Sequence, residues 1–132
     1  SLPQRDMAIV AAAAPLAKLL MAIFWVLMIK LGLAMGGMTA WAGAPLVFMG
    51  VAGVTINILL MVLNLLPLPP LDGGRVVSGL LPPRLSMQFD RLEPYGFFIL
   101  IALLATGVLG AILWPLFRLF AGLLYGAFGL SF

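Results

Sequence analysis

Apolar residues run through this chain in long blocks, with polar residues as punctuation between them. From Met7 to Met35 the charged residues are Lys18 and Lys30 alone, and from Ala44 to Leu66 the polar side chains are Thr55, Asn57 and Asn64. Tyr95 to Trp114 carries no charge, and residues 116–132 carry one, Arg118. None of these blocks alternates with a period of two, which argues against strands and against a lipid-exposed barrel. The first three have the roughly 20 residues that a helix needs to cross about 30 Å of hydrocarbon. Lipid cannot satisfy open backbone groups, so the pattern predicts an all-α, polytopic transmembrane helical bundle with about three crossings.

Helix signals set the expected boundaries. A first span over 7–35 has two possible starts. Started at Met7 it places Lys18 at its centre, where a charge costs about 2.5 to 3.5 kcal/mol. Started at Pro15 it places Lys18 in the first turn, free to snorkel to the headgroups, with residues 7–14 as an interfacial or buried lead-in. The second arrangement is the expected one. A turn containing Gly36-Gly37 and Trp41 leads to a second span over 44–66. Pro67, Pro69 and Pro70 cannot continue that helix, because each lacks an N–H and biases its predecessor toward extended backbone. Within 67–81 a short helix restarts after the prolines, and Pro82-Pro83 ends it. Residues 82–94, with Arg84, Asp90, Arg91 and Glu93, read as the aqueous loop, 95–114 as a third span, and 116–132 as a short helix that either spans or lies in the interface. The 132 residues form a single membrane-embedded domain and read as a portion of something longer.

Composition sharpens this picture. The chain is 64% hydrophobic and 8% charged, with a mean hydropathy of +1.24, whereas soluble domains carry about 25% charged residues. It contains no Cys, which removes disulfides and thiolate metal sites, and no His. The net charge of +3 rests on seven scattered basic residues, a membrane-flank pattern and not a nucleic-acid surface. With three crossings, Arg5, Arg75, Arg84 and Arg91 fall on one side and Lys30 and Arg118 on the other. The positive-inside rule then makes the side bearing the proline-rich stretch cytoplasmic.

That stretch is Asn64-Leu65-Leu66-Pro67-Leu68-Pro69-Pro70-Leu71-Asp72-Gly73-Gly74-Arg75. An ionisable group placed at a membrane helix break points to function, and the uses open to Asp72 are metal ligand, proton relay or partner to a cation. A structural role is also open: capping the helix that follows, or pairing with Arg75. Gly73 and Gly74 lack a Cβ and allow a backbone or a ligand to come close. Asn64 can hold an extended backbone through its amide.

The same twelve residues resemble the second signature of the site-2 protease family, intramembrane zinc metalloproteases that cleave membrane-spanning proteins. The run from Asp6 to Lys18 is similar to that family's segment ending Ala-Gly-Pro-x-x-Asn, with Ala14 in place of the Gly and Lys18 in place of the Asn. The resemblance implies that Asp72 is the third zinc ligand, supported by Asn64, Pro67, Pro69, Gly73 and Gly74. It further implies that two His of a His-Glu-x-x-His helix upstream complete the Zn2+ site, with its Glu as general base. This chain has neither. The expectation is therefore a metalloendopeptidase as an intact protein, inert as these residues alone, with upstream helices, the bilayer and a membrane-spanning substrate as partners. A non-catalytic homologue that binds a membrane partner, and a transporter subunit, are the alternatives; the latter would call for inverted repeats, which the sequence does not show. Thr55 and Asn57 read as links between helices, and Gly32 with Gly36, and Gly122 with Gly126, as close-packing positions.

Overall fold

The computed structural model describes residues 2–36, 41–69 and 71–130. Six helices follow one another: α1 (Leu2–Ala34), α2 (Gly43–Asn64), α3 (Asp72–Leu80), α4 (Pro83–Asp90), α5 (Glu93–Ala105) and α6 (Val108–Ala127). Among the described residues there is no strand, and the chain is all-α as the pattern required. Three helical stretches are long and apolar enough to cross a membrane: Arg5–Ala34, Gly43–Asn64 and Val108–Ala127.

The central contact is the antiparallel pair α1–α2, and glycines set its register. A Cβ on Gly32 would meet the Gly43 carbonyl and Val47 at 2.9 Å, one on Gly50 would strike Ile29 and the Trp25 carbonyl, and one on Gly53 would enter the Trp25 ring. The buried positions of α2 step through Gly43, Val47, Gly50, Val54, Asn57 and Met61, spacings of four and three that keep one stripe facing α1. Ala22, Val26 and Ile29 answer from α1, and Ala121, Leu124 and Tyr125 of α6 complete the core. Small residues at such a seam let two apolar helices approach closely, which is what drives their association where lipid offers no hydrophobic gain.

Four expectations are corrected. The lead-in over 7–14 is part of α1, which runs unbroken through Pro15. Proline in a helix interior removes one hydrogen bond and crowds the carbonyl four residues back, at about 3 kcal/mol. Here Pro15 is buried in a helix against which α3 packs, so tertiary contacts offset that cost. The register nevertheless puts the end of α2 level with about residue 14 of α1, so the part of α1 that α2 covers still begins near Pro15. Second, the span expected over 95–114 is divided: α5 stops at Ala105, and Gly107, with φ 80°, turns the chain into α6. Apolarity alone did not reveal this, because the Thr106-Gly107 stop lies inside an unbroken apolar run. Residues 116–127 are correspondingly the later part of a 20-residue helix and not a separate short one; 131–132 lie outside the described residues.

Third, residues 82–94 are not simply a loop. Pro83 occupies the first turn of α4, where its missing N–H costs nothing, and Pro82-Pro83 thus starts a helix as well as ending one. Fourth, Thr55 and Asn57 do not link helices: Thr55 Oγ1 donates to the Val51 carbonyl at 2.8 Å and Asn57 Nδ2 to the Gly53 carbonyl at 2.7 Å, each within α2. Gly32 packs as expected, Gly36 instead makes a turn at φ 104°, and a Cβ on Gly122 or Gly126 would meet open space. Gly37 and Thr39 lie outside the described residues.

A polar hairpin bracket at the end of the second helix

The proline-rich stretch folds back onto the helix it leads into. Leu65 closes α2 with its N–H on the Met61 carbonyl at 3.0 Å. Two tight turns follow, in which Leu68 N–H reaches the Leu66 carbonyl and Leu71 N–H the Leu68 carbonyl, both at 2.8 Å. Pro67 and Pro69 have no N–H to place, so the turns leave few donors to satisfy. Pro67 is exposed and Pro69 buried, while Pro70 lies outside the described residues.

Gly73 and Gly74 are what allow the reversal. A Cβ on Gly73 would overlap the carbonyl groups of Leu65 and Leu66, and one on Gly74 would lie 2.5 Å from the Pro69 nitrogen and 2.6 Å from the Leu68 carbonyl carbon. The close backbone that these glycines admit is therefore that of the motif itself. The first turn of α3 sits directly on the segment leaving α2, and the two form one compact bracket.

Asp72 is the first residue of α3 and is half-buried. The N-cap position belongs to Leu71, in extended conformation at φ −71° and ψ 160°, which has no side-chain acceptor to cap with. A carboxylate in the first turn still gains about 0.3–1 kcal/mol from the helix dipole. Asn64 Nδ2 donates to the Leu60 carbonyl at 2.9 Å, so its amide serves the end of α2. Further along α3, the fully buried Ser78 hydroxyl shares a 2.7 Å hydrogen bond with that of Ser86, fastening α4 to the bracket.

A second feature was missed in the sequence. Arg75, Asp90 and Glu93, with Met7, Pro69 and Gly74, line a cleft of about 220 Å³ beside the bracket. The three-residue spacing of Asp90 and Glu93 was visible, but nothing in the sequence said that α4 would carry them back to Arg75. Among the described residues no three His, Cys, Asp or Glu side chains converge on one point. Catalytic zinc takes three protein ligands and an open position, so these residues do not fit zinc on their own; Asp72 is one hard oxygen donor of the several needed.

The model of Peptidase family M50 matches residues 28–107, a region containing the bracket. A Bacillus subtilis (strain 168) protein named "Putative zinc metalloprotease YwhC" is 40% identical over 63 residues, which make up 48% of this chain and 29% of that relative. The chain thus spans less than a third of that relative's length. No solved structure matches it. With well over half its length inside the family match, the chain belongs to Peptidase family M50, the site-2 protease family.

Proposed function

We propose that this chain is the part of an intramembrane zinc metalloprotease that supplies Asp72 as a metal ligand for hydrolysis of peptide bonds in membrane-spanning proteins. The observation that carries this reading is the bracket: with Gly73 and Gly74 pressed on the Leu65–Pro69 backbone, the start of α3 has little freedom, and Asp72 is presented from a fixed point. A ligand held this way needs no reorganisation to bind. Zinc, when bound, would polarise the scissile carbonyl and lower the pKa of its water to about 7. The remaining ligands and the base must come from outside these 132 residues, in the upstream His-Glu-x-x-His helix that the resemblance implies, because the chain has no His and, among the described residues, no three His, Cys, Asp or Glu side chains grouped to hold a metal. Within the chain, Gly73 and Gly74 fix the position of Asp72, and Asn64, Pro67 and Pro69 shape the turn that brings it there. By itself the segment is expected to cleave nothing.

The test is made in the intact protein. Asp72→Ala and Asp72→Asn are expected to insert normally, to lower bound zinc well below one per molecule, and to abolish cleavage of a membrane-spanning substrate. Wild-type zinc content and cleavage in an inserted Asp72→Ala variant would overturn the assignment. The lack of His gives one observation in favour of a second reading, a homologue that binds a membrane partner without catalysis. That reading predicts an intact protein without stoichiometric zinc.

A further inference from the structure

The cleft beside the bracket has a composition that the protease reading does not use. One guanidinium, Arg75, lines the same cleft as two carboxylates, Asp90 and Glu93, with Met7 and Pro69 as apolar walls. Its level in the molecule is fixed by the helix register. α2, 22 residues long, covers about 33 Å, and its end lies level with about residue 14 of α1. Met7 is seven residues further out, about 10 Å beyond the end of α2. With α2 spanning the hydrocarbon, the cleft opens in the headgroup layer. Exposed apolar side chains follow the lining residues on the same helix faces: Val10, three residues past Met7 on α1, and Phe97, four past Glu93 on α5.

We propose that this cleft binds the headgroup of a zwitterionic phospholipid bearing a primary ammonium, a phosphatidylethanolamine. Its phosphate would pair with Arg75, its ammonium with Asp90 and Glu93, and its acyl chains would lie along the apolar residues of α1 and α5. The charge pattern selects among lipids. A purely anionic headgroup would satisfy Arg75 but meet two carboxylates. A choline headgroup has the right charges but no N–H to donate, and hydrogen bonds between charged groups are the strong ones. A substrate peptide could bring an ammonium or a carboxylate, but not both on one short headgroup above two acyl chains. The inference does not depend on zinc or on proteolysis.

The experiment uses the intact protein in detergent micelles, with short-chain phosphatidylethanolamine, phosphatidylcholine and phosphatidylglycerol as probes and native mass spectrometry as the readout. Phosphatidylethanolamine is expected to bind one per chain, on the order of tenfold tighter than the other two. Arg75→Gln, and separately the exposed pair Asp90→Asn with Glu93→Gln, should erase that preference, while Arg118→Gln on α6 should keep it. Because Arg75 adjoins the bracket, the Asp90/Glu93 variant decides alone if circular dichroism shows Arg75→Gln unfolded. Equal binding of the three lipids, or a preference that survives loss of both carboxylates, overturns the proposal. So does soluble phosphoethanolamine binding as tightly as the lipid, or displacement of the lipid by a substrate peptide at equal concentration.

Discussion

Two kinds of glycine stand in this chain, and substitution by alanine should separate them. At Gly73 the added methyl has no room, since its neighbours are the carbonyl groups of Leu65 and Leu66 and backbone cannot swing aside as a side chain would. Overpacking of this kind costs about 1–3 kcal/mol, more than the roughly 1 kcal/mol that alanine gains over glycine in a helix. Gly73→Ala is therefore expected to lower the thermal unfolding midpoint in detergent, whereas Gly122→Ala, facing open space on α6, should raise it slightly or leave it unchanged. A stabilised Gly73→Ala would mean that the bracket is not closed as described. The need for a close approach at Gly73 and Gly74 was legible from the absence of a Cβ beside three prolines. Which backbone would approach was not, because that depends on turns whose hydrogen bonds link carbonyls only two and three residues away.

At the level of elements, α4 is held to the bracket by a buried contact between two short side chains. Ser78 on α3 and Ser86 on α4 share a hydrogen bond away from solvent, so removing either hydroxyl takes that partner from the other. Each of Ser78→Ala and Ser86→Ala is expected to cost about 1 kcal/mol or more, and the double variant less than the sum of the two, with a coupling of about 0.5–3 kcal/mol. A double-mutant cycle by chemical unfolding in micelles measures this, and strict additivity would show the contact to be idle. The sequence reading had clear signals at the end of α1 and at both ends of α2 and α3, where prolines, glycines and abrupt changes in polarity mark the limits, and none at the start of α1. It failed where the signal was double-edged. Pro83 fits both a helix stop and a helix start, Pro15 breaks an isolated helix but survives in a packed one, and Gly107 interrupts a run whose hydropathy never falls.

The arrangement of the whole molecule bears on how it sits in a membrane. In sequence, Arg118 was grouped with Lys30, at the end opposite the bracket. The fold moves it. Phe120, Leu123 and Leu124 of α6 line one apolar cleft with Leu19 and Ile23 of α1 and with Ile58 and Met61 of α2, so Arg118 stands nearer the level of Lys18 than of Lys30. It lies 5.7 Å from the Trp114 ring centroid, on which its charge can rest. At the far end Lys30 Nζ donates to the Phe128 carbonyl at 3.1 Å, joining the C-terminal ends of α1 and α6. Among the described residues, that end therefore keeps one cation, while Arg5, Arg75, Arg84 and Arg91 remain at the bracket end. The wider imbalance favours a cytoplasmic bracket, since retained Lys and Arg mark the cytoplasmic side. The natural absence of cysteine makes this directly measurable. A single cysteine at exposed Arg84, introduced as Arg84→Cys, should react with a membrane-impermeant maleimide only in inside-out vesicles. One introduced as Trp41→Cys, in the exposed turn between α1 and α2, should react only in right-side-out cells. The reverse pattern would place the bracket, and any metal it holds, on the outer face, and labelling of both positions from one side would show that α2 does not cross.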